Sequence, residues 1–98
     1  MIITTTAVYS NDNGFSLVPY VNDNGEIWLK STGNGCGDDV MVQDVEGWTS
    51  EEIMHEYESI DTDAMLVAAD EIEAAGDCDN AEWIRGWCGL VKSARVVE

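Results

Sequence analysis

Residues 15–30 read FSLVPYVNDNGEIWLK. Two runs rich in β-branched and aromatic residues flank Asn22-Asp23-Asn24-Gly25. Such side chains suit a pleated, half-buried surface, and Asn-Gly supplies the positive φ angles of a tight hairpin turn at little steric cost. The stretch therefore predicts an antiparallel pair. The same tetrapeptide stands upstream at Asn11–Gly14, and before it residues 2–9 (IITTTAVY) are again strand-like. Alternation there places Ile3, Ala7 and Tyr9 on one face and Ile2 and Val8 on the other. Two hairpins in series predict a three-stranded antiparallel meander. Pro19 conflicts with a middle strand, because it has no N–H to give to a ladder. Either the strand bends there or pairing on one side stops before it.

Downstream, Ser31–Gly37 (STGNGCG) reads as a loop, and residues 40–45 (VMVQDV) predict a fourth strand. The pattern turns helical at Trp48. Thr49 and Glu52 have the spacing of a capping box, with Trp48 and Ile53 as the hydrophobic staple, opening a helix over Ser50–Ser59. Asp61 is the next N-cap, with Ile60 stapled to Met65, and that helix runs to Ala75 and stops at Gly76. Asp79 and Glu82 form a third box, opening a helix to about Ser93. Its Trp83, Trp87, Leu90 and Val91 fall at core-facing spacing. Gly86 and Gly89 weaken that helix intrinsically and predict close packing against the sheet. The fold class is α+β: an N-terminal antiparallel meander of three to four strands, then two to three helices packed on one face, in a single domain over 1–98.

Charge is distributed very unevenly. Of 20 acidic residues, 16 lie between Asp38 and Glu82, where no Lys or Arg occurs; the four basic residues are Lys30, Arg85, Lys92 and Arg95. The formal net charge is -16, yet 45% of the residues are apolar, enough for a modest core, so the chain reads as folded. A field of this sign repels nucleic acid and anionic membranes and attracts basic protein surfaces or cations. No basic-then-apolar leader and no apolar run of about 20 residues is present, and three unpatterned cysteines suit reduced thiols. A cytoplasmic location is the expectation.

The acids have helical spacing. Side chains three or four apart on a helix stand about 5–6 Å apart, and each DNA strand carries a charge per about 3.4 Å of axis. Glu52, Glu56 and Ser59 lie along one such row, with Glu51 and Glu58 on the same helix. Asp63, Asp70 and Glu73 supply another, with Glu71 beside them. Turns at Asp38-Asp39, Asp44-Glu46 and Asp77-Asp79 extend the pattern. Acids in first helical turns also serve the helix dipole, and an acidic surface serves solubility. A merely solvated face, however, pairs some acids with Lys one turn away, and forty-five consecutive positions here contain none.

Catalytic and metal patterns are missing. Asp61-Thr62-Asp63-Ala64-Met65 departs from a calcium loop at its fifth position. Cys36, Cys78, Cys88 and His55 lack the paired spacing of a zinc site. Asp38 and Asp39 oppose thiolate formation at Cys36, and STGNGCG lacks the Lys of a phosphate-binding loop. The expectation is a non-enzymatic protein without metal or cofactor.

In size, composition and the segment Asp38–Glu82, the chain resembles small acidic inhibitors of phages and mobile elements: DNA mimics, anti-restriction proteins and anti-CRISPR proteins. The resemblance implies a stoichiometric inhibitor, monomeric or homodimeric, that occludes a nucleic-acid site on a defence complex and does not itself bind nucleic acid. The expected partner is the basic surface of a nucleic-acid-binding protein or nuclease complex. The expected partner-binding residues are Asp38, Asp39, Asp44, Glu46, Glu51, Glu52, Glu56, Glu58, Asp63, Asp70, Glu71 and Glu73. Two alternatives stand beside this: an immunity protein or antitoxin against a basic nuclease toxin, and a small cation-binding protein.

Overall fold

The hairpin predicted at Asn22–Gly25 forms, with a different turn. In this computed structural model, which describes residues 2–6, 9–10, 15–33, 38–57 and 60–96, Gly25 N–H donates to the Asn22 carbonyl (3.0 Å) and Asn22 N–H to the Glu26 carbonyl (2.9 Å). Within this turn only Gly25 takes a positive φ, +78°; no described non-glycine residue does. The turn is therefore not the mirror-image type that Asn-Gly predicts, but a longer loop with one left-handed glycine. Asn22 Oδ1 stabilises it by accepting from the N–H groups of Asn24 and Glu26. The upstream turn at 11–14 lies outside the described residues.

The strands are β1 (Ile3–Thr4), β2 (Tyr9–Ser10), β3 (Phe15–Val21), β4 (Ile27–Gly33) and β5 (Val40–Met41). All pairings are antiparallel, in the order β1–β3–β4–β5, with β2 joining β3 along the same edge as β1. The strand predicted over 40–45 is shorter and forms β5: Val42 N–H still donates to the Ile27 carbonyl (2.9 Å), after which the chain turns and Val45 is buried in the core.

Pro19 explains the divided edge. Thr4 faces Tyr20 and Tyr9 faces Leu17, so β1 and β2 pair with β3 on either side of Val18 and Pro19. Thr5 Oγ1 donates to the Pro19 carbonyl at 2.6 Å. A strand residue's N and O point to the same edge. The missing donor of Pro19 therefore falls where the ladder is interrupted, and pairing with β4 runs unbroken through Pro19–Leu29.

Helices α1 (Ser50–Tyr57), α2 (Thr62–Ala74) and α3 (Cys78–Val96) cover one sheet face. The Thr49–Glu52 box closes reciprocally, both bonds 3.1 Å. Asp61 caps α2 by accepting from Asp63 and Ala64. Gly76, at φ +102°, ends α2 while Asp77 N–H returns to the Ile72 carbonyl (3.1 Å). Asp77 then caps α3 by accepting from Asn80 N–H (3.2 Å). The third capping box is thus displaced: Asp77, and not Asp79, is the cap, because the tight end of α2 delivers it to that position. The helix also continues past Ser93 to Val96.

Ile3, Val21, Ile27 and Leu29 of the sheet meet Met65, Ile72, Ile84, Trp87 and Val91 of the helices in one core. Both α1 and α2 pack on α3, and α2 also reaches β3. Gly86 and Gly89 take no part. An added Cβ at either would meet nothing within 4 Å, and both lie on the open side of α3, away from the sheet. Cys88 is buried in mid-helix and Cys78 is exposed at its start. Among the described residues, no helix is long and apolar enough to cross a membrane.

Candidate functional site

With 3.6 residues per turn, α3 carries Trp83, Gly86 and Leu90 on one flank and Arg85 and Lys92 on the other. The second flank faces α2 and is electrically paired. Arg85 reaches Asp70 at 2.8 Å and Glu73 at 3.2 Å, and these carboxylates raise its pKa. Lys92 lies 3.9 Å from Asp63. Arg95 donates to the carbonyls of Tyr57 and Ile60, tying off the end of α1.

The predicted α2 row is therefore divided by its surroundings. Asp63 and Asp70 stand on the outer ridge beside Val67, which is 50% exposed. Glu73 leans toward Arg85. Glu71 lies on the opposite shoulder and accepts from both the N–H (2.7 Å) and the hydroxyl of Thr6, so it joins α2 to the sheet edge.

Asp38 and Asp39 sit together beside the outer face of the sheet, away from the helices. Asp39 accepts from the Tyr20 hydroxyl at 2.8 Å, and this bond is the main reason the tyrosine pKa is raised. A shallow cavity of about 270 Å³ lies here, lined by Ile2, Val18, Tyr20 and Lys30 with Asp39. It holds both signs of charge.

The remaining acids lie near the first flank of α3. The connection from Val42 to Thr49 is held by aromatic residues. Gln43 N–H donates to the Tyr57 hydroxyl and Trp87 Nε1–H donates to the Gln43 carbonyl, both at 3.1 Å. The Tyr57 ring meets Trp87 edge-on (5.0 Å between centroids) and stacks with Trp48 (6.2 Å). Burial raises the Tyr57 pKa, and the Gln43 N–H partly offsets this. Gly47, at φ +87°, makes the turn that returns Trp48 N–H to the Val45 carbonyl (3.0 Å). Asp44 accepts from Glu46 N–H at 2.9 Å, so both carboxylates project from a fixed turn. Glu51, Glu52 and Glu56 then follow on the exposed surface of α1, with Glu52 and Glu56 one turn apart. Glu58 lies outside the described residues.

Between this connection and α3 is a cleft of about 230 Å³. Its floor is Trp83, Gly86, Trp87 and Leu90, and its rim is Asp44, Glu46 and Glu82. Among the described residues, Asp44, Glu46, Glu51, Glu56 and Glu82 form no ion pair. Sequence reading missed Glu82 as a surface acid because its spacing from Asp79 marked it as a capping partner. Of the residues placed at core-facing spacing, Leu90 is 42% exposed and Trp83 is half-buried against the edge of the core. The usable signal was angular: Ile84, Cys88 and Val91 centre the buried stripe, which leaves Leu90 and Trp83 at its margin.

No protein-family model, curated protein or solved structure matches the chain. Among the described residues, no three His, Cys, Asp or Glu side chains gather into a group able to hold a metal ion.

Proposed function

We propose that this protein is a non-enzymatic inhibitor: an acidic mimic of nucleic acid that occludes the basic groove of a nucleic-acid-binding protein, such as a defence nuclease or CRISPR effector. One observation supports this above the rest. The cations of α3 are committed to α2 and to the end of α1, while the acids from Asp44 to Glu56 meet none among the described residues. Unpaired like charge opposes folding, so a surface kept this way is readily explained by an external cationic counterpart. Aromatic contacts and a closed capping box hold the supporting backbone, which lowers the ordering cost of association.

The test is capture of partners from host lysate at low salt, followed by competition with DNA and with guide RNA. The expected result is a partner released steeply by salt and bound exclusively of nucleic acid. Glu52→Gln combined with Glu56→Gln slows association with little change in unfolding. Unchanged affinity after charge-neutralising substitutions throughout Asp38–Glu82, or simultaneous binding of nucleic acid to the same groove, overturns the reading.

A further inference from the structure

The cleft beside α3 differs chemically from the rest of the acidic surface. It has an apolar floor, of which Leu90 is exposed and Trp83 half-buried. Gly86 lies in that floor, and a methyl group there would meet nothing within 4 Å. Glycine is the weakest helix former after proline, so a residue that weakens α3 leaves the cleft open down to the helix backbone. Around this floor stand Asp44, Glu46 and Glu82, none paired with a cation among the described residues. Arg85 and Lys92 are on the opposite flank of the same helix and engaged with α2.

We propose that this cleft receives one arginine side chain projecting from the basic surface of the partner protein. Its volume, about 230 Å³, falls below the roughly 300–1,000 Å³ of small-molecule sites and suits a single long side chain. Arginine meets both halves of the site. Its methylene stem covers Leu90 and the exposed helix backbone at Gly86, and its guanidinium reaches the rim carboxylates. The planar guanidinium also lies favourably over the indole of Trp83. Lysine offers a point charge without the stacking plane, and an uncharged apolar side chain leaves the three acids unanswered. The inference rests on the acidic-surface reading above and deepens it: long-range charge brings the partner in, and the cleft fixes its register.

The experiment is an NMR titration with blocked Gly-Arg-Gly, Gly-Lys-Gly and Gly-norleucine-Gly tripeptides, following the Trp83 indole N–H and the Gly86 amide. The arginine peptide is expected to shift both signals saturably, about tenfold more tightly than the lysine peptide, with the norleucine peptide inert. Gly86→Leu fills the floor from an open position, so circular dichroism is expected to show an intact or more stable helix while the saturable shifts vanish. Gly89→Ala, one turn away and outside the cleft, leaves them unchanged. Equal, diffuse shifts from arginine and lysine, or retention of arginine binding in Gly86→Leu, overturns the cleft while leaving salt-dependent capture intact. The converse, cleft binding without any salt-dependent partner, retains the cleft and overturns the inhibitor reading.

Discussion

The two flanks of α3 belong to one helix and have opposite lives. Toward α2, side chains are packed and charges matched: Ile72 and Ile84 are fully buried, and Arg85 bridges Asp70 and Glu73. Toward the Val42–Thr49 connection, the helix shows Leu90, the half-buried Trp83, Gly86 and the unpaired Glu82. The α2-facing flank holds helix to helix through core packing and ion pairs; the flank along the Val42–Thr49 connection leaves apolar surface open beside unpaired acids. This division separates a paired, packed flank from an open, unpaired one within a single element, and substitutions can test it.

The largest expected contrast comes from equal truncations on the two sides. Ile72→Ala should cost about 2–5 kcal/mol through the cavity it leaves, whereas Leu90→Ala should cost well under about 1 kcal/mol because its site is already open. Urea denaturation checks both. Comparable losses would erase the distinction between the flanks.

Next comes Cys88, whose thiol is pushed up to about 11 by burial. Its folded pKa lies above the unfolded one, so stability is complete below the unfolded value near 9 and declines as pH rises through about 11. The unfolded chain loses its proton first. At about 1.4 kcal/mol per pH unit, the decline is about 2–3 kcal/mol. Tyr57, also raised by burial, acts in the same direction at still higher pH. Cys88→Ala should flatten the wild-type fall in urea midpoint between pH 8 and 10.5; an equally steep fall in the variant would place the alkaline weakness elsewhere.

Gly89→Ala should stabilise the protein by about 1 kcal/mol, since the position is helical, exposed and unobstructed. A thermal melt reads this directly, and destabilisation would mean that the open flank is constrained after all. The smallest effects concern charge. Arg85→Gln should lower stability slightly, with the loss fading at high salt. Glu46→Gln and Glu82→Gln should leave it unchanged or slightly raised at low salt, because they relieve repulsion without breaking a pair. The opposite signs are the diagnostic.

Much of the architecture was legible because it depends on near neighbours in the chain. Gly25 needs only its own backbone to close a turn, and Thr49 and Glu52 satisfy one another across three residues. Where local signals misled, a distant constraint had prevailed. Asp77 displaced Asp79 as the cap because the Gly76 turn ending α2 set where α3 could begin. Gly86 and Gly89 suggested close helix–sheet contact, but the buried stripe of α3 turns them outward. The acids were less legible still. Glu71 and Asp70 are adjacent in sequence, yet one accepts from Thr6 at the sheet edge and the other from Arg85.

Sequence alone therefore determined the order of strands then helices, most of their boundaries, and a large negative field. Those follow from backbone preferences, capping chemistry and the count of charges, none of which needs a distant partner. Only the tertiary structure decided which carboxylates are neutralised, which edge tolerates Pro19, and where the Trp83–Leu90 floor meets an acidic rim. Side-chain charge and apolar surface acquire these roles from neighbours remote along the chain, and folding alone brings those neighbours together.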